Sequence, residues 1–344
     1  MIEIKNIYYM LSYAFTVLNK NGYRKLETED FKNSVDLYAA ILIKGLFSQI
    51  NRGLNHEYIE QEESLTMIRG KINITDSIKN LDVINKKLRC SYDEFSVNTY
   101  MNQIIKTTLT SLLKVNITKE RKMKLKKLLL FFGQVDILDD RKINWKLRFT
   151  RNNRTYKMLL SICYLINESL IQSKNDGSKQ FMDFIDEQNM SRLYEKFVLE
   201  YYKKEFPKLS VSASHIPWMV DDGVKTMLPM MKSDITLSYK NQYLIIDTKF
   251  YGKTLQSYYD THKIHSGNLY QIFTYVKNLD MSLNKQKAKV SGMLLYAKTN
   301  ENISPDNTFQ MSGNQISVTT LDLNHDFEKI SEKLNQIVIN HFEV

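Results

Sequence analysis

The sequence predicts two unlike parts. An α+β domain is expected over residues 1–165, followed by an α/β domain over residues 166–344 with a mixed sheet flanked by helices. Three observations lead there. Amphipathic helical stretches in the first part are interrupted by alternating, β-rich segments between residues 56 and 95. From Ser191 onward the order becomes helix, several short β-rich runs, helix, strand. Only 11 Gly and 4 Pro occur in 344 residues, too few for long disordered linkers.

Taken in order, Ile4 to Leu18 has apolar residues at helical spacing. A second helix is expected from Glu29-Asp30, whose negative charge suits a helix N-terminus, to near Gly53, with Val35, Leu37, Tyr38, Ile41 and Leu46 as its apolar positions. His56 to Ser64 and Leu65 to Ile74 read as strands around a turn, and Leu88 to Phe95 as a third strand. Asn98 to Lys114 is helical. So is Glu120 to Phe132, whose basic face is expected to show Arg121, Lys122, Lys124, Lys126 and Lys127. That face reads either as a phosphate- or acid-contacting surface or as an ordinary solvated one. Trp145 to Arg154 is a basic segment, Tyr156 to Leu170 an apolar helix, and Asn175-Asp176-Gly177 a turn. The domain boundary is placed between residues 145 and 185.

In the second part, Leu193, Phe197, Val198, Tyr201 and Tyr202 share a helix face, and Pro207 ends that helix. Val211 to Met219, Thr226 to Met230, Ser233 to Tyr239 and Gln242 to Tyr251 read as successive strands. Ser266 to Leu279 is a helix, Val290 to Ala297 and Gln315 to Leu321 are strands, and Asp326 to Ile339 is a closing helix.

The formal net charge of +10 and the pI near 9.2 favour a polyanionic partner, although a Lys-rich composition alone produces the same balance. The 2 cysteines, Cys90 and Cys163, have no metal-ligand neighbours and suit a reducing compartment. No secretory leader and no apolar run of membrane-spanning length is evident, so a cytoplasmic protein without membrane contact is expected. There is no G-x-x-x-x-G-K-[S/T] loop, hence no expectation that this chain hydrolyses nucleotide.

The chemistry concentrates in two runs, Met231-Lys232-Ser233-Asp234-Ile235-Thr236-Leu237 and Leu244-Ile245-Ile246-Asp247-Thr248-Lys249. Asp234 and Asp247 each sit at one end of an apolar run, and two such carboxylates can share a hard divalent cation. Lys249 lies two residues beyond Asp247 and so points to the same side of its strand, where it can orient water or stabilise a phosphate. Glu195 on the preceding helix is a further candidate ligand. Gln271 and Tyr275, four residues apart, share a helix face, with Gln271 able to hold a phosphate beside the metal. Each has a plainer reading: a turn-capping aspartate, an ordinary strand end, a polar residue on a half-exposed helix. His262 and His265 form H-x-x-H without the further ligands of a zinc site.

The order of helix glutamate, aspartate, D-x-K and Q-x-x-x-Y helix resembles the PD-(D/E)xK nuclease superfamily, restriction-endonuclease-like in fold, and especially its RecB-like branch, over residues 191–297. Ser233 stands where that pattern usually has proline. Further motifs resemble the McrC family: Ile4 to Phe15, Arg52-Gly53-Leu54 with Tyr58, Arg69-Gly70-Lys71-Ile72, and Arg151-Asn152-Asn153-Arg154 with Tyr156. McrC is the nuclease subunit of McrBC-type, methylation-dependent restriction systems.

The resemblance implies a Mg²⁺-dependent endonuclease acting on double-stranded DNA, with Mn²⁺ as a substitute cation. Asp234, Asp247, the Thr248 carbonyl and Glu195 would be metal ligands, and Lys249 and Gln271 would complete the catalytic set. It also implies a hexameric McrB-like AAA+ GTPase partner that binds the GTP, engages the N-terminal domain and recognises the modified DNA. Arg151, Asn152 and Arg154 are candidates for contacting that partner or its nucleotide, and double-strand cutting suggests paired copies of the nuclease subunit. Two alternatives stay open: a non-catalytic activator of an AAA+ NTPase, and a stand-alone RecB-like repair nuclease.

Overall fold

A computed structural model describes residues 2–15, 18, 23, 26, 29–151, 153, 155–175, 187–250, 255–258, 261–283, 288–298 and 305–342. The chain divides into two compact units, Val35–Asn175 on one hand and Met1–Ser34 with Asp176–Val344 on the other. Residues 1–34 thus group with the C-terminal segment rather than with the segment that follows them.

In the unit over residues 35–175, helix α2 (Ser34–Ile50) is apolar on nearly every side and correspondingly buried from Val35 to Ile43. A three-stranded antiparallel sheet follows, ordered β1 (Glu57–Leu65), β3 (Leu88–Ser96), β2 (Lys71–Ile72). The sequence suggested that β1 and β2 pair around a turn. Instead β3 lies between them, because β1 matches β3 along all of Glu57↔Ser96 to Leu65↔Leu88. Gly70 makes the entry to β2 possible: its φ is +69°, and a Cβ there would stand 2.3 Å from the Ser91 carbonyl. The run ends at Asn73, whose side chain caps the short helix α3 (Ile74–Lys79) by accepting from the Asp76 N–H.

Helices α4 (Tyr100–Leu112), α5 (Lys119–Leu129) and α6 (Tyr156–Asn175) complete this unit. Their inward stripes, among them Ile104, Ile105, Leu109, Leu125, Leu128, Ile162 and Ile166, are fully buried. Arg121 does not join the exposed basic face expected of α5. It is buried, and its Nη1 lies 2.5 Å from Oδ2 of Asp36 on α2. Asn102 and Tyr156 form a second buried link. Asn102 donates to the carbonyls of Asn55 and Val97, and the Tyr156 hydroxyl donates to Asn102 Oδ1 at 2.8 Å. Both cysteines are free and buried, and burial pushes the Cys163 thiol up to about 12.

The other unit is built on a six-stranded mixed sheet in the order β12-β13-β11-β8-β7-β4. Its strands are β4 (Ser210–Ser212), β7 (Ile235–Tyr239), β8 (Gln242–Lys249), β11 (Lys289–Ala297), β12 (Asn307–Met311) and β13 (Asn314–Leu321). Strand β11 runs parallel to both neighbours, and the remaining pairs are antiparallel. Continuous apolar runs in β8 and β11 suit strands buried on both faces. Two small pairs, β5 (His215–Ile216) with β6 (Met231–Lys232) and β9 (Leu255–Tyr258) with β10 (Thr261–Ile264), accompany it. No strand forms over the expected residues 226–230, where Pro229 removes a donor and Met227 takes φ +68°. Strand β12 is an addition. It reaches β13 through Ser312 and Gly313, both at positive φ as a tight hairpin needs.

Helix α8 (Ser266–Leu283) packs on this sheet through Ile272 and Val276, into the space that Gly292 of β11 leaves open. Helices α1 (Ile4–Ala14), α7 (Glu187–Glu205) and α9 (Phe327–Phe342) meet through an aromatic cluster. Tyr9 stacks on Phe327 with ring centroids 4.4 Å apart, and Tyr13 lies edge-on to Phe197 at 5.6 Å. The buried Asn6 side chain donates to the carbonyls of Leu323 and His325. No helix among the described residues is long and apolar enough to cross a membrane.

Candidate active site

Strands β7 and β8 are antiparallel neighbours, with Ile235 opposite Ile246. One step further along each strand brings Asp234 beside Asp247, at the end of the pair where side chains of both strands face each other. Thr248 fixes this alignment: its N–H and its hydroxyl both donate to Asp234 Oδ2, at 2.8 and 2.9 Å. The turn ahead of Asp234 is tied by Ser233. Its N–H donates to the Ser214 carbonyl at 3.0 Å, and its buried hydroxyl meets the Thr236 hydroxyl at 2.8 Å. The serine thus holds by hydrogen bonds a turn that a proline would hold by its ring.

Asp247 is 1% exposed. Neither of its oxygens receives a well-directed hydrogen bond, and its one close cation is Lys249, whose Nζ lies 2.6 Å from Oδ2. Burial pushes its carboxyl up to about 6, the charge of Asp234 adds to this, and Lys249 opposes it. Two neighbouring carboxylates, one of them buried, are oxygen donors of the kind that could hold a hard divalent cation. Lys249 also donates to Gln271 Oε1 at 3.1 Å, and Gln271 Nε2 donates to the Tyr275 hydroxyl at 3.0 Å. Asp234, Asp247, Thr248, Lys249 and Gln271 are therefore one connected constellation, carried on two strand ends and one helix.

Glu195 on α7 lies within electrostatic reach. Burial raises its carboxyl, the charge of Asp234 raises it further, Lys232 opposes, and Asp247 contributes more weakly. Yet no three His, Cys, Asp or Glu side chains gather into a metal-holding group among the described residues. Asp234 and Asp247 are the carboxylates these strand ends could offer a cation, and Glu195 lies on α7 within their electrostatic reach.

Two contributions were not anticipated from sequence. Asn268, at the start of α8, donates to the Tyr296 hydroxyl at 2.9 Å; Tyr296 is the β11 partner of Lys249, so this bond seats α8 against the site. Lys232 offsets the charge of Glu195. The only sequence signal for either was nearness to the D-x-K and Q-x-x-x-Y motifs.

Of the other expected residues, Arg151 is exposed, whereas Asn152 and Arg154 lie outside the described residues. Asn153 is structural: buried, it accepts the Thr150 N–H at 2.6 Å. The ring of His262, and with it the H-x-x-H pair, likewise lies outside the described side chains.

A family model described as McrBC 5-methylcytosine restriction system component matches residues 3–297. The chain belongs to this family. In keeping with that, it is 29% identical over 345 residues to the Type IV methyl-directed restriction enzyme EcoKMcrBC of Escherichia coli strain K12, covering 98% of this chain and 97% of that one. Among solved structures it is similar to a chain of a half-complex from the tetradecameric assembly of Thermococcus gammatolerans McrB AAA+ hexamers with bound McrC. The TM-score is 0.52 and the identity 16%, with coverage of 98% of this chain and 75% of that one. This last likeness is one of fold.

Proposed function

We propose that this McrBC-family chain is the DNA-cutting subunit of a modification-dependent restriction complex, a Mg²⁺-dependent endonuclease of the PD-(D/E)xK type. The observation that carries the reading is the connected set of Asp234, Asp247, Lys249 and Gln271, with a buried carboxylate at its centre whose close partner is the Lys249 ammonium. Asp234, Asp247 and the Thr248 carbonyl would hold the cation, which supplies charge neutralisation at the scissile phosphate and a more acidic water. Mn²⁺ can replace Mg²⁺ in such an oxygen site. Lys249, held between Asp247 and Gln271, presents its ammonium to the attacking water or the phosphate. Gln271, fixed by Tyr275, positions the scissile strand of a DNA duplex.

The same reading gives the chain an AAA+ GTPase hexamer as partner, the kind that its structural relative was solved with. GTP is then bound and hydrolysed by the partner, and this chain stimulates it. Exposed Arg151 is the described residue suited to reach the partner or its nucleotide. Recognition of 5-methylcytosine belongs to the complex.

The experiment is cleavage of methylated and unmethylated duplex by the chain with its partner, GTP and Mg²⁺. Asp247→Ala and Lys249→Ala should each lower cutting at least about a thousand-fold, the scale expected when charge-stabilising groups are removed, while the complex still assembles. Retained cutting by either variant sinks the site assignment. Stimulated GTP hydrolysis with no cutting by the wild type makes the chain a non-catalytic activator. Cutting by the chain alone, without partner or nucleotide, makes it a stand-alone nuclease.

A further inference from the structure

The charge of this protein is not spread evenly. Residues 97–154 hold fourteen Lys and Arg against four Asp and Glu, a surplus of ten, which is the whole formal net charge of +10; the rest of the chain balances. Within that stretch α5 is the densest element. Arg121 is buried against Asp36 and Lys124 pairs with Glu120, so neither defines its outer face. Lys119, Lys122, Lys126 and Lys127 remain, with no carboxylate partner among the described residues, and all but the half-buried Lys122 are fully exposed. Their spacing spreads the four ammonium groups along about 12 Å of helix, matching the axial rise of three to four base pairs of duplex.

We propose that this face of α5 grips the phosphate backbone of double-stranded DNA as a contact separate from the cutting site. Unpaired, solvated ammonium groups in a row are suited to displacing the counterions condensed on a polyanion. They offer no fork geometry for reading bases, so the contact adds affinity and orientation without sequence or methylation preference. Such a grip adds affinity for duplex on the unit over residues 35–175 and takes no part in the cutting chemistry. The inference rests on the reading of this chain as a DNA-cutting subunit, but its test needs no cleavage.

The test measures binding of a fluorescein-labelled 30-base-pair duplex to the purified full-length chain by anisotropy, in EDTA, across a salt series. The quadruple variant Lys119→Gln/Lys122→Gln/Lys126→Gln/Lys127→Gln should bind at least tenfold more weakly at moderate salt. The slope of log affinity against log salt should become shallower by about three to four, since each phosphate contact contributes about 0.9. The loss should be equal for methylated and unmethylated duplex, and the matching quadruple Lys→Arg variant should retain wild-type affinity and slope. Unchanged affinity and slope in the Gln variant overturn the proposal. So does a Gln variant that binds DNA normally but no longer assembles with the AAA+ partner, which would make the face a protein-docking surface. Binding in EDTA involves no cleavage, so a failure of the nuclease reading shows in the cleavage assay and a failure of this one shows in binding.

Discussion

At the scale of single residues, the burial of Asp247 carries a cost with a sign, only partly offset by Lys249. The folded carboxyl titrates at about 6 against an ordinary value of 3.8, so the fold binds its proton more tightly than the unfolded chain does. The penalty on the ionised form is therefore full above pH 6 and vanishes below the unfolded value near 4. In EDTA, Asp247→Asn should be more stable than the wild type by up to about 3 kcal/mol at pH 7.5, with the gap closing toward pH 4. Adding Mg²⁺ should stabilise the wild type and leave the variant unmoved. Denaturant melts across pH check this; a gap independent of pH removes the argument. Asp36 and Arg121 present the opposite case, a buried charge that is matched. Arg121→Ala removes the cation from beside the fully buried Asp36 carboxylate and should cost about 3–5 kcal/mol in the same assay, whereas replacing both by apolar residues should cost far less.

At the scale of elements, the site depends on how closely α8 approaches β11. A Cβ on Gly292 would stand 2.7 Å from Val276 Cγ2 and 2.8 Å from Ile272 Cγ1, so a larger residue must push the helix off the sheet. Gly292→Ala should destabilise by about 1–3 kcal/mol and, because Gln271 and Asn268 ride on that helix, should lower DNA cleavage while leaving the Asp234–Thr248 alignment intact. Thermal melts and cleavage assays on the same preparation separate the two effects; full activity at reduced stability would show that α8 does not set the position of Gln271. The strand ends behave differently. Asp234 and Asp247 are placed by pairing register, which the buried faces of β7 and β8 fix, and Thr248 then holds Asp234 in line.

At the scale of the whole molecule, the two ends of the chain share one unit. Helix α1 is packed on α7 and α9 by Tyr9, Tyr13, Phe197 and Phe327, and Asn6 is bonded to the segment before α9. Deleting residues 1–30 should therefore lower the melting temperature of the unit that carries Asp234 and Asp247, although it removes none of the site. Calorimetry on the truncated and full-length chains decides it: an unchanged transition for residues 176–344 would mean that α1 contributes nothing to that unit.

Local pattern placed most of the secondary structure. Apolar spacing located α1, α2 and α4 to α9 to within about five residues, and the D-x-K and Q-x-x-x-Y spacings, with Asp234 on the run before them, singled out the residues that the fold brings together. Those features are visible because helix and strand periods are properties of neighbouring residues. What tertiary structure decided is non-local. It put β3 between β1 and β2, buried Arg121 on a helix that reads as a basic face, and joined residues 1–34 to the C-terminal unit. It also showed that Ser233 holds its turn by hydrogen bonds and that the buried charge of Asp247 is faced by Lys249 and by the second carboxylate, Asp234. Each of these depends on which distant surfaces exclude water from one another, and no periodicity along the chain records that.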